Sequence, residues 1–217
     1  MLSLPLSKKR FFSDGLVVLL ALFAYYFFPI DEKLNVTVQS LVLGVAFFVL
    51  LPILYVKIVR KQPLSSLGFA PSRGRFGWLA VSLAVLPALA LLYFFARVYS
   101  VEEGYYLPSL AANSFPIFLL YEVLVVGATV FLYEVFFRGM IQTFWLGQHR
   151  LWAVFSQFGI FVIFLLFTDG IFWQTVPFLV ATLASGFVVF STRSLYYSWA
   201  STWLILFVAD AYFLIAK

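Results

Sequence analysis

Apolar side chains in this chain come in seven runs separated by short charged connections, and that pattern leaves a membrane-embedded helical bundle as the fold to expect. The runs are Gly15 to Pro29, Val36 to Val59, Gly77 to Arg97, Phe115 to Trp145, Leu151 to Thr168, Phe172 to Phe190 and Leu195 to Ala216. A membrane-crossing helix takes about 20 apolar residues, and backbone polar groups in lipid must be satisfied within the segment, which selects helices. Hydrophobic residues make up 64% of the chain and charged residues 11%. A soluble domain averages about 45–50% and about 25%, so a water-soluble globule is excluded. The expected architecture is all-α: one polytopic domain over 1–217, about seven transmembrane helices, in contact with the lipid bilayer.

The connections carry the orientation. Lys8, Lys9 and Arg10 precede the first run; Asp31, Glu32 and Lys33 follow it; Lys57, Arg60, Lys61, Arg73 and Arg75 fill the next connection without an acid. Glu102 and Glu103, then His149 and Arg150, then Asp169, then Arg193 continue the alternation. Short connections rich in Lys and Arg stay cytoplasmic, so the amino terminus is expected in the cytoplasm and the carboxy terminus outside. The formal net charge of +5 thus reads as topology, with no nucleic-acid partner. The basic leader before an apolar stretch has the order of a signal peptide. Tyr25, Tyr26, Phe27 and Phe28 stand where small residues would mark cleavage, so a retained helix is expected.

Charged residues inside the runs are the functional candidates, because a charge at mid-membrane costs about 2.5–3.5 kcal/mol on insertion scales. Glu122, Glu134 and Arg138 lie in the fourth run and Asp210 in the last. Glu134 and Arg138 are four residues apart and share a helix face. Their bland reading is a structural ion pair between helices; the sharper one is a carboxylate tuned by a guanidinium. Glu122 lies about 18 Å further up the helix and about 120° around it, which assigns it to a separate site. Asp210, near the outer end of the last run, reads as interfacial or hydrogen-bonded. Cysteine is absent and His149 is the sole histidine, so thiolate ligands and a two-histidine centre are excluded. No metal or other cofactor is expected.

YEVFFRG, from Tyr133 to Gly139, resembles the first signature of the CAAX-protease and bacteriocin-processing (Abi) family of intramembrane proteases. That signature has two adjacent glutamates, three residues, an arginine and usually a glycine, with an aromatic before the arginine. Glu134, Phe137, Arg138 and Gly139 match, and Tyr133 stands at the first glutamate. SSLGFAPSRGRFGW, from Ser65 to Trp78, is similar to the family's Leu-Gly connection. Gly186 and the following FVVFSTRSLYYSWASTW resemble its third region, with the Thr-x-Ser-Leu turn at Thr192 to Leu195. The resemblance covers about 65–206 and implies a bacterial or archaeal cytoplasmic membrane.

The family's second motif, laid on FLLFTDG, puts Phe164 in place and Thr168 at a histidine. The third, laid by its turn, puts Thr202 at a histidine and Leu206 at an asparagine; a shift by four residues puts Leu206 and Asp210 there instead. As the resemblance implies it, the family chemistry uses the first glutamate and a histidine to activate water, with a later histidine and asparagine stabilising the oxyanion. Tyrosine, with a reference pKa near ~10, is a poor base at neutral pH, and threonine cannot cycle a proton as imidazole does.

The leading expectation is therefore a catalytically inactive member of this family acting as a binding or scaffold subunit for another integral membrane protein. Tyr133, Thr168 and Thr202 would then face one interior space with Glu134 at its edge. Ala181, Ser185 and Gly186 offer small surfaces either to a partner helix or to packing inside the bundle. The alternatives are an endopeptidase with Glu134 as base, aided by Asp169 or Asp210, and a small transporter or lipid-handling protein.

Overall fold

The computed structural model describes residues 8–29, 31, 35–69, 74–99, 107–145, 150–168, 170, 172 and 175–216. Glu102, Glu103, His149 and Asp169 lie outside the described residues. Among the described residues the chain is helical throughout, without a strand. Seven principal helices follow one another: α1 (Lys8–Phe27), α2 (Val36–Val59), α3 (Arg75–Tyr99), α4 (Phe115–Trp145), α5 (Arg150–Thr168), α6 (Val176–Thr192) and α7 (Leu195–Ala216).

Among the described residues, five helices are long and apolar enough to cross a membrane: α2, α3, α4, α5 and α7. The apolar parts of α1 and α6, Phe12–Phe27 and Val176–Thr192, are shorter. For α6 the cause is local. Thr175 Oγ1 donates to the carbonyl of Phe172 (2.7 Å) and accepts from its amide (3.1 Å), folding the start of the sixth apolar run into a turn. Pro177 then occupies the first helical turn, where its missing N–H costs nothing.

Helix α4 organises the bundle. At 31 residues it is about 46 Å long, more than a hydrocarbon core of about 30 Å. Its face bearing Phe136, Phe137, Met140, Ile141 and Phe144 packs into an aromatic core with Val18 and Ala21 of α1, Phe48 and Val56 of α2 and Phe161 of α5. Val130 instead joins the core that α3, α6 and α7 share through Val81, Val85, Ala181, Val188, Ile205 and Leu206. Outward-facing Leu, Phe, Val and Trp side chains dominate the exposed surface, as lipid contact requires.

The connection between α2 and α3 docks back onto the bundle. Leu64–Leu67 forms a 3₁₀ turn ended by Gly68 at φ 93°, a left-handed conformation that glycine adopts without steric cost. The amide of Leu195 donates to the carbonyl of Gly68 (3.0 Å). A Cβ on Gly139 would stand 3.0 Å from the Leu67 carbonyl oxygen and 3.2 Å from Leu195 Cδ1. The glycine is what lets α4, this turn and the start of α7 meet.

Two stretches of α4 are π-helical, Glu122–Val126 and Glu134–Gln142. Each intramembrane glutamate is the first residue of one of them. A π turn shifts the phase of the face and frees backbone groups, and such turns concentrate at functional or strained positions.

Candidate functional site

The centre of the bundle is a polar column on α4. Glu134, Arg138 and Gln142 recur every four residues and are each at most 1% exposed. Arg138 Nη1 pairs with Glu134 Oε1 at 2.7 Å. Thr202 Oγ1 of α7 donates to the same carboxylate oxygen at 2.6 Å, and Ser198 Oγ, one turn earlier on α7, donates to Oε2. The ion pair expected from the i, i+4 spacing is thus present in the bundle interior, and both carboxylate oxygens are occupied.

On its other side the column grips α6. Arg138 Nη2 donates to the Thr182 carbonyl (3.0 Å) and Gln142 Nε2 to the Gly186 carbonyl (2.6 Å). Two successive turns of α4 therefore hold two successive turns of α6. Ser185 between them turns its hydroxyl back to Ala181 O at 2.6 Å. Ala181, Ser185 and Gly186 are all buried. This corrects the option of a partner-helix surface: the small residues let α6 approach α4 and α5.

The positions that the family resemblance singled out go to different places. Thr202 reaches Glu134. Tyr133 points its ring the other way, into Phe48, Phe137, Phe161, Phe164 and Phe178. Thr168, at the end of α5, donates to the Phe164 carbonyl at 3.0 Å. The Tyr133 ring thus turns toward α2 and α5 and Thr202 lies on the α7 side of α4, so these two do not share the single interior space expected for all three. Leu206 is a core residue beside Val81 and Val85 of α3.

Glu122 belongs to a second acidic group, as its distance along α4 implied. It is fully buried and its carboxyl faces Asp210 of α7, although neither Glu122 oxygen reaches ordinary hydrogen-bond geometry. The indole of Trp203 donates to the Glu122 carbonyl at 3.0 Å. Asp210 is 6% exposed: α7 turns it inward toward Glu122 of α4, in keeping with the hydrogen-bonded reading of this residue. Among the described residues no three His, Cys, Asp or Glu side chains come close enough to hold a metal ion.

An open groove of about 410 Å³ runs beside the column between α4 and α7, lined by Val123, Gly127, Phe131, Glu134, Tyr196 and Trp199 among others. Glu134 contributes to its wall while remaining buried.

Gln142, Gln157, Ser185 and Ser198 were not anticipated as parts of the site. Gln142 carried a readable signal, four residues after Arg138 and eight after Glu134 on one face. Ser198 stands four residues before Thr202 in the same way. Gln157 is a lone amide in an apolar helix, and nothing local marks its partner. The segments behind the family resemblance meet here: Leu67 and Gly68 contact Gly139 and Leu195, and Glu134 contacts Thr202. No protein-family model, no curated protein and no solved structure matches the chain.

Proposed function

We propose that the chain is a catalytically inactive relative of the CAAX-protease and bacteriocin-processing family, serving as a binding or scaffold subunit for another integral membrane protein in a bacterial or archaeal cytoplasmic membrane. One observation carries this reading. Tyr133 stands where the family has its water-activating glutamate, and the carboxylate that remains, Glu134, is taken up by Arg138, Ser198 and Thr202 and is 1% exposed. A general base must have the proton it abstracts within reach, and this one is occupied by donors of its own fold. Hydroxyls of Ser and Thr around an ion pair satisfy a polar core.

An active endopeptidase is the second reading, favoured by the groove whose wall includes Glu134. Incubation of purified wild type with membrane-anchored peptides separates the two. No cleavage is expected from wild type or from Glu134→Gln. Cleavage by wild type that Glu134→Gln abolishes would overturn the scaffold reading. Copurification from native membrane after crosslinking is expected to recover an integral membrane partner.

The proposed topology has seven crossings with the amino terminus in the cytoplasm, the shorter α1 and α6 included. The alternating sign of the connections supports it. Cysteines introduced singly at Arg75 and Glu102 are expected to react with an impermeant maleimide from opposite faces of sealed vesicles. Labelling of both from one face would reject it.

A further inference from the structure

Where α4, α5 and α6 converge, Gln142 Oε1 and both amide atoms of Gln157 are buried without a hydrogen-bond partner in the protein, and so is Arg138 Nε, one turn before Gln142 on α4. Gln142 and Gln157 have no solvent exposure and Arg138 has 1%. The two amide oxygens lie on one side of Gly186. From the position of a Cβ on that glycine, Gln157 Oε1 stands at 3.3 Å and Gln142 Oε1 at 3.7 Å. Gln142 cannot turn to relieve this without losing the bond from its Nε2 to the Gly186 carbonyl.

Unpaired amides at this depth are costly, since the bilayer core supplies no solvent to satisfy them. The chemistry of the four atoms identifies what satisfies them. Two are acceptors, Gln142 Oε1 and Gln157 Oε1; two are donors, Gln157 Nε2 and Arg138 Nε. A cation would meet the guanidinium, and an anion would meet two carbonyl oxygens. A molecule with two protons to give and two lone pairs to receive fits both sets, and buried waters characteristically make about three such bonds to otherwise unsatisfied groups.

We propose that Arg138, Gln142 and Gln157 form a built site for structural water at the α4–α5–α6 junction, cradled by the bare face of Gly186. The bound water extends the polar column from the Glu134–Arg138 pair to α5, which the column otherwise does not reach because neither amide atom of Gln157 has a partner in the protein. The site is independent of whether Glu134 performs chemistry. It explains why position 186 is glycine in the middle of an apolar helix: a methyl group there would stand 3.1 Å from Val154 Cγ1 and 3.3 and 3.7 Å from the amide oxygens of Gln157 and Gln142.

The test is nuclear magnetic resonance of the full-length protein in lipid nanodiscs, with glutamine side chains labelled with ¹⁵N. The amide protons of Gln157 are expected to show direct cross-relaxation with a long-lived water, and the signal is expected to be lost in Gly186→Ala, with Gln157→Met fixing the assignment. Gln157 amide protons that exchange no magnetisation with water and relax against the Gln142 side chain would overturn the proposal in favour of a direct amide pair. If either variant fails to fold, an experimental density map of the wild type decides. A water peak within hydrogen-bond distance of Gln157 and of Gln142 or Arg138 supports the site; touching amides with no such peak reject it.

Discussion

Arg138→Leu is expected to lower the unfolding free energy by about 3–5 kcal/mol, the range for removing one partner of a buried ion pair, while the double change Glu134→Leu with Arg138→Leu is expected to lose less. The single substitution leaves the Glu134 carboxylate enclosed with only the hydroxyls of Ser198 and Thr202. It also removes the bond from Arg138 to the Thr182 carbonyl that ties α4 to α6. In the double variant the charge is gone and the hydroxyls have other acceptors. Ser198 Oγ already lies 3.3 Å from the Ser185 carbonyl, and a threonine within a helix can turn to the carbonyl one turn back. Unfolding midpoints in mixed micelles check the order, and equal losses in the two variants would reject the pairing.

The second large effect is expected at the opposite side of the bundle. Asp14 of α1 is 1% exposed and binds α2 and its end: Tyr55 Oη donates to it at 2.7 Å, Arg60 Nε at 3.1 Å, and Arg60 Nη2 completes an ion pair. The Arg60 guanidinium also lies 3.9 Å above the Phe144 ring of α4, within cation–π range. One carboxylate therefore ties three helices. Hydrogen bonds to charged groups contribute about 1.5–3 kcal/mol each, so Asp14→Ala is expected to cost at least that much, and Asp14→Asn, which keeps an acceptor, less. Hydrogen exchange gives the location: α1 amides are expected to lose protection in Asp14→Ala while those of α7 keep theirs. Uniform loss in both helices would place the effect in the whole bundle rather than in the attachment of α1.

Sequence spacing made the Glu134–Arg138 pair readable because both members sit on one helix, where four residues fix a shared face whatever the rest of the chain does. It made Glu122 readable as a separate group for the same reason. The partners from other helices had no such geometry behind them. Ser198 and Thr202 stand more than sixty residues from Glu134 in the chain, and only the packing of α7 on α4 selects their hydroxyls. The polar side chains of α7 show the difference: Thr202 and Asp210 are both two turns apart from each other on the helix, yet one meets Glu134 and the other faces Glu122.

Tyr133 marks where motif reading and structure part. It adjoins Glu134 in sequence, but neighbours on a helix point about 100° apart, and its ring enters the aromatic core of α2 and α5 while Glu134 looks at α7. An alignment registers adjacency along the chain and carries no information on which side of α4 each neighbour lies.

Composition, run length and the placement of charge determined by themselves that this chain is an all-helical protein with helices fit to cross a membrane, because the cost of exposing backbone or charge to lipid is large and local. Which faces meet was decided only by the tertiary structure. In an apolar bundle most surfaces are chemically alike, so small residues such as Gly139 and Gly186, the π turns that rephase α4, and a few buried hydrogen bonds select one packing among many. The same selection gathered Glu134, Arg138, Ser198 and Thr202 into a closed polar centre, and brought the amide oxygens of Gln142 and Gln157 to the same bare face of Gly186.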